Sequence, residues 1–230
     1  SKYEKERKSI MCENRELINA INSSGIDIFD GRWLEKYLTY EILEFILKQK
    51  NQKKEETELA ITTNEITDSC IQIIKTLAKQ YKRVTVVTNH LNKLRKIEKE
   101  LYDEYGVLIL VSNNQKKSLA KTQLILNMDF NKEVLNKYKI NENAVILNLE
   151  GDMIIYNKRF NGINVNNYEI EVGREEIIWR TNMNKFETKE LLEAYLYMKD
   201  TFDNIRAKIG KYKVLVQEIY GINGKIERFS

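Results

Sequence analysis

Five short apolar runs in this chain each close on an asparagine: Ile61–Asn64, Val84–Asn89, Val107–Asn113, Leu124–Asn127 and Val145–Asn148. An amide both donates and accepts, so a row of them suits a nucleotide or a sugar without demanding a fixed charge. If the runs are parallel strands, their carboxyl ends gather at the rim where open α/β sheets bind ligands. The candidate binding residues of this row are therefore Asn64, Asn89, Asn113 and Asn127. A structural role competes with this one, because asparagine also favours turns and helix N-caps, and strand-to-helix junctions supply both. Composition adds weight to that competitor. Asn, Lys and Ile are abundant and proline is absent, the pattern that an AT-rich genome imposes.

Other chemistry is bounded by what the chain contains. His90 is its one histidine, and as a general base it would need an orienting acid and a pocket. The competing role for it is a polar residue at the start of a crossover helix. One histidine and two separated cysteines, Cys12 and Cys70, assemble neither a catalytic triad nor a zinc site of the usual kind. Carboxylates Asp129, Glu150 and Asp152 fall near the ends of the fourth and fifth runs and could meet a metal. No spacing singles them out, and turn chemistry explains them equally well, so no metal ligand is assigned. The Lys48–Lys54 and Lys93–Lys99 groups could touch phosphate, but both are interleaved with acidic or polar residues, as solvated helix faces are. Arg32-Trp33 after Asp30 reads as a helix start with a core tryptophan, with recognition as the alternative.

The elements that would position these residues follow from periodicity. Between 57 and 150, the apolar runs alternate with helical patterns such as Leu91, Leu94, Ile97 and Leu101, with Gly106 as a C-cap. Continuous apolar strands separated by helices require a parallel sheet covered on both faces. The expectation is an α/β, doubly wound, mainly parallel sheet of about five strands in the order 3-2-1-4-5. Beyond Gly151, Met153–Tyr156 and Ile163–Val165 flank the turn dipeptide Asn161-Gly162, which predicts small antiparallel strands there and at Tyr168–Val172. Residues 174–183 are ambiguous.

Both ends of the chain read as helical. Leu191, Tyr195, Met198, Phe202, Ile205, Ile209, Tyr212, Val216 and Ile219 alternate spacings of four and three, which predicts one long amphipathic helix. Asn184 with Glu187 suggests a capping box, Gly210 a bend and Gly221 a stop. At the amino end, Tyr3, Ile10, Leu17 and Ile21 share a helical face that ends at Ser23-Ser24-Gly25. A second helix, capped by Asp30, carries Trp33, Leu34, Tyr37, Leu38, Ile42, Phe45 and Ile46. The expected organisation is thus an N-terminal helical region 1–56, an α/β domain 57–183 and a C-terminal helix 184–230 packed on the N-terminal helices. Apolar faces of this size argue for a homodimer.

With these residues in view, the region 57–150 resembles the Rossmann-like nucleotide-binding superfamily, nearest in feel to dehydrogenases of the shikimate dehydrogenase and glutamyl-tRNA reductase type. In those, the second strand ends in an Asn-Arg pair followed by a basic helix. The matching place here is Thr88-Asn89-His90, then Lys93, Arg95 and Lys96. The resemblance implies contact there with the adenosine ribose or its 2′-phosphate, which adds His90 and Lys93 to the candidate binding residues and implies NADP as cofactor rather than NAD. The chain departs from the family at the first strand, where a glycine-rich turn should approach the pyrophosphate. It carries Thr63-Asn64-Glu65-Ile66-Thr67-Asp68-Ser69 instead, with no glycine between Gly31 and Gly106.

Length and charge complete the picture. The 230 residues suffice for one substantial domain with a helical appendage, and 42% hydrophobic residues suffice for its core. A net charge of +4 with mixed signs argues against nucleic-acid binding. No apolar run approaches the ~20 residues of a membrane span, and no signal peptide is evident. Isolated cysteines fit a cytoplasmic location, and a start at Ser1 without methionine is expected of a fragment or processed chain. Two functions are expected to compete: a non-enzymatic assembly or regulatory protein self-associating through its terminal helices, and an NAD(P)- or nucleotide-binding oxidoreductase-like enzyme.

Overall fold

The computed structural model describes residues 9–10, 27–155, 159–173, 188–197 and 200–229. In chain order, β1 (Ser9–Ile10) and β2 (Asp27–Ile28) precede helices α1 (Arg32–Tyr37) and α2 (Thr39–Gln49). Then follow β3 (Glu58–Thr62), α3 (Asp68–Ala78), β4 (Arg83–Val87), α4 (Leu91–Tyr105), β5 (Ile109–Ser112), β6 (Leu124–Asn127), α5 (Lys132–Leu135) and β7 (Val145–Asn148). The chain continues through β8 (Ile163–Val165), β9 (Asn167–Val172), α6 (Thr188–Leu196), α7 (Phe202–Tyr212), β10 (Val214–Gly221) and β11 (Gly224–Lys225). Two compact units result. One comprises residues 1–38 with 169–217, the other 39–168 with 218–230.

The second unit is built on a six-stranded sheet in the order β5-β4-β3-β6-β7-β8, every neighbouring pair parallel. Renumbered from β3, that is 3-2-1-4-5-6, the Rossmann-like order. The five expected strands stand in the expected order, and a sixth extends them. The strands are rich in β-branched residues and almost wholly buried, as strands covered on both faces must be. Thr67 starts α3 by accepting the Cys70 N–H on its hydroxyl. Gly106 ends α4 with φ +64°, its amide returning to the carbonyls of Leu101 and Tyr102. One side of the core gathers Ala60, Val87, Ile125, Phe130, Leu135 and Ile146.

The sixth strand corrects an expectation. Met153–Ile155 forms no strand, and Ile163–Val165 pairs with β7 in parallel rather than in a hairpin. Gly162 explains the arrangement: a Cβ there would collide with the Ala144 carbonyl oxygen. The Ile163 N–H donates to that same oxygen. Asn161-Gly162 is therefore a close backbone approach at the start of β8, not a hairpin turn.

In the other unit, α1 packs against α6 and α7. Gly31 holds the N-cap of α1 at φ +86°, and a Cβ there would press on the Lys189 side chain. The expected cap, Asp30, instead accepts the Arg32 amide. The Gly31 and Trp33 amides donate to the buried carboxylate of Glu193. Burial, helped by the neighbouring Asp30 charge, pushes Glu193 up to about 8, while the two amide hydrogen bonds oppose the rise. Aromatic rings close this corner: Trp33 meets Tyr37 and Tyr197, and Tyr37 stacks on Phe202.

The single long C-terminal helix does not form. Thr201 opens a new helix by capping the Asn204 amide, Lys213 leaves it at φ +48°, and Val214–Gly221 is a strand. β10 turns through Asn223-Gly224 and pairs antiparallel with β11. β9 takes up β10 along its length, the Gly173 amide donating to the Lys213 carbonyl and the Asn166 amide to the Tyr220 carbonyl, and this sheet pairing overrides the three-and-four spacing that runs through the same residues. Of that stripe, Leu191, Ile205, Ile209 and Tyr212 are buried in this one chain, while Tyr195 is exposed. At the amino end, Ser9–Ile10 is a strand paired with β2, where a helix was expected. The rest of that expected helix, Asn184, Glu187 and all of 174–183 lie outside the described residues.

Candidate functional site

The rim formed by the carboxyl ends of β3, β4, β5, β6 and β7 carries the row of asparagines, and their surroundings divide them in two. Asn127 is fully buried at the end of β6. Its carbonyl oxygen accepts from the Thr62 hydroxyl at 2.6 Å and from the Phe130 amide at 3.1 Å. Its amide nitrogen donates to the Phe130 carbonyl at 2.8 Å and to the Asn148 carbonyl oxygen at 3.3 Å. Asn148 passes the relay to Asn166 at 2.8 Å, and Asn166 donates to the Met153 carbonyl. This ladder of amides ties the ends of β3, β6 and β7 to the residue after β8. Every member is buried, so each bond spares a desolvation penalty of ~1–3 kcal/mol. It holds strand tips together and presents no free amide to a ligand.

Just beyond the ladder, the turn after β3 is closed by a carboxylate. Asp129, two residues past Asn127, accepts the Thr63 hydroxyl at 2.8 Å, the Asn64 amide at 2.7 Å and the Glu65 amide at 2.6 Å. Successive backbone N–H groups turned toward one anion form the nest that phosphate uses in glycine-rich loops. Here the chain furnishes the anion itself. Exposed Glu65 and Asp68 add negative charge around it. The Thr63 hydroxyl also lies 3.6 Å from the sulfur of buried Cys70, which touches Met128.

The outer rim is open. Asn64 turns its side-chain carbonyl to the Asn89 amide at 3.0 Å, bridging the tips of β3 and β4. Thr88, buried, accepts the His90 amide and so sets the turn into α4. Asn89, His90 and Lys93 are exposed and line a shallow recess of about 400 Å3 with Leu91 and Asn92. Asn113 is exposed at the end of β5 and takes no part in that recess. Of the six candidates, then, Asn89, His90 and Lys93 come together, Asn64 joins them through one hydrogen bond, and Asn113 and Asn127 stand apart. Among the described residues, no group of three or more His, Cys, Asp or Glu side chains is placed to hold a metal.

Asp129 is the residue that sequence reasoning undervalued. The available signal was its offset: an acid two residues after the fourth-strand asparagine, in a chain whose first-strand turn has exposed amides but no glycine. Asn166 carried no signal, because it lies past the sixth strand, where a hairpin was expected.

Comparison with known proteins adds little to this geometry. No family model matches the chain, and no curated protein matches it. Sixteen solved chains do. One is the crystal structure of a shikimate dehydrogenase in complex with NADP+, 13% identical, with a TM-score of 0.39. The match covers 81% of this chain and 63% of the dehydrogenase chain. The strand order and parallel pairing by themselves make the α/β unit a Rossmann-like domain.

Proposed function

We propose that the chain is a non-enzymatic assembly or regulatory protein that keeps a Rossmann-like domain as a scaffold and works as a homodimer in the cytoplasm. The observation that carries the first part is the Asp129 carboxylate seated on the amides of Asn64 and Glu65. A pyrophosphate entering that turn would have to expel it. Hydrogen bonds to a charged acceptor contribute ~1.5–3 kcal/mol each, and even two of them lost would weaken a ligand by about a hundredfold or more. The like charges of Glu65 and Asp68 act in the same direction. The ladder through Asn127, Asn148 and Asn166 removes amides that a ligand would otherwise use.

A second reading has one observation in its favour. The recess at the tip of β4 is lined by Asn89, His90 and Lys93, with no acidic residue among them. That chemistry suits a ribose or a 2′-phosphate, and supports a nucleotide- or NADP-binding, oxidoreductase-like protein engaging its ligand by the adenosine end. A thermal-shift panel of NAD, NADP, nucleoside triphosphates and S-adenosylmethionine separates the two. A ligand present at a hundredfold excess over its dissociation constant stabilises by ~2.7 kcal/mol, which is easily read as a rise in melting temperature. No shift is expected with any of them. A shift with NADP that is lost in Lys93→Ala would establish the second reading and remove the first.

A further inference from the structure

Among the described residues, one lateral edge of the six-stranded sheet is left unpaired at β5. β5 is the outermost strand on that side and contains Ile-Leu-Val-Ser, with no charge, proline or glycine to discourage another strand. Its side chains alternate: Ile109 is buried, whereas Leu108 and Leu110 are 66% and 50% exposed on the opposite face. On the Ile109 side, the adjoining helix α4 carries a second exposed strip. Glu100, bonded to Lys75 of α3, marks the flank of α4 turned toward its neighbour. At 100° per residue, Arg95, Glu98 and Tyr102 lie roughly 140–160° around the helix from Glu100, on the flank turned away from α3 and toward the open edge. Tyr102 is 56% exposed there.

We infer that this edge binds a second copy of the chain, β5 pairing antiparallel with the partner's β5 to make one continuous twelve-stranded sheet. The inference deepens the assembly reading above and rests on it. The self-complementarity of α4 selects the occupant. Leu91, Arg95, Glu98 and Tyr102 are spaced four, three and four apart, the spacing of a helix–helix seam. Two copies related by a two-fold axis run antiparallel. Arg95 then meets the partner's Glu98 and Leu91 meets the partner's Tyr102, both pairs centred between Lys96 and Ile97. Dimensions agree. Paired strands stand ~4.8 Å apart, so helices seated over the β4–β5 groove of each copy would lie about 10 Å apart, a normal packing distance. On the other face, Leu108 and Leu110 of the two copies would cover each other. An unrelated partner would have no reason to match this charge order in reverse.

The test is sedimentation velocity on the full chain and three variants, with circular dichroism to confirm folding. The wild type is expected to run as a dimer and Leu110→Glu, at an exposed position, as a folded monomer. Arg95→Glu and Glu98→Arg are each expected to be monomeric alone and to form a dimer when mixed, because mixing restores opposite charges at both contacts. This swap decides the matter even if Leu110→Glu does not fold. A wild-type dimer that persists in Leu110→Glu and in both charge variants overturns the edge assignment but leaves the assembly reading standing. A wild type that stays monomeric overturns both. A monomer whose β5 amides nonetheless resist hydrogen exchange would hand the edge to another part of its own chain, and overturns the inference as well.

Discussion

The inner and outer halves of the strand-tip rim carry the same residue type at equivalent places and use it in opposite ways. On the inner half, at β3, β6 and β7, Asn127 and Asn148 are buried and spend their amides on one another, and Asp129 closes the turn above them. On the outer half, at β4 and β5, Asn89 and Asn113 face solvent. Position in the topology therefore does not decide the role of these residues. Burial does, because a buried amide must find protein partners and an exposed one is satisfied by water.

Breaking the inner half should give the largest effect. Asn127→Ala leaves the Thr62 hydroxyl, the Phe130 amide and carbonyl, and Asn148 short of partners. It is expected to destabilise the fold by ~4 kcal/mol in urea denaturation, the sum of more than one unmet buried group. Asp129→Ala comes next, at ~2–3 kcal/mol, since the nest is rimmed by solvent and water can replace part of what is lost. That variant also sharpens the contrast: inorganic phosphate should raise its melting temperature by filling the vacated nest, and leave the wild type unchanged.

Glu193 offers a third comparison, a carboxylate that also receives two backbone amides but in the other unit and out of solvent. Its folded value of about 8 stands above its ordinary 4.5, so the folded state holds the proton more tightly than the unfolded one. The stability it contributes is full below pH 4.5 and falls as pH rises through about 8. Melting temperature measured across that range should decline, and Glu193→Gln should flatten the decline. The smallest effects belong to the outer rim. Asn89→Ala and Asn113→Ala should each lie within ~0.5 kcal/mol of wild type.

Much of the scaffold was legible before the structure. Strand runs such as Val84–Val87 and the Gly106 cap identify themselves locally, because β-branched residues and a left-handed glycine each answer to one backbone state. What was not legible depends on partners far along the chain. Asp129 reaches back to Asn64, and Glu193 to Gly31, so neither turn shows its anion in its own sequence. The helix expected through Val216 failed for a related reason: the strand that takes up β10, β9, lies far back in the chain. The resemblance to NADP-binding dehydrogenases placed the fold well, while Thr63–Ser69 departs from that family's glycine-rich turn.

The central claim is that the nest after β3 is already occupied. Amide resonances of Asn64 and Glu65, followed while NADP is titrated into the wild-type protein, test it directly. The account predicts that both stay fixed in wild type, and that both move when inorganic phosphate is added to Asp129→Ala. Movement of the wild-type Asn64 and Glu65 signals with saturating NADP would contradict it.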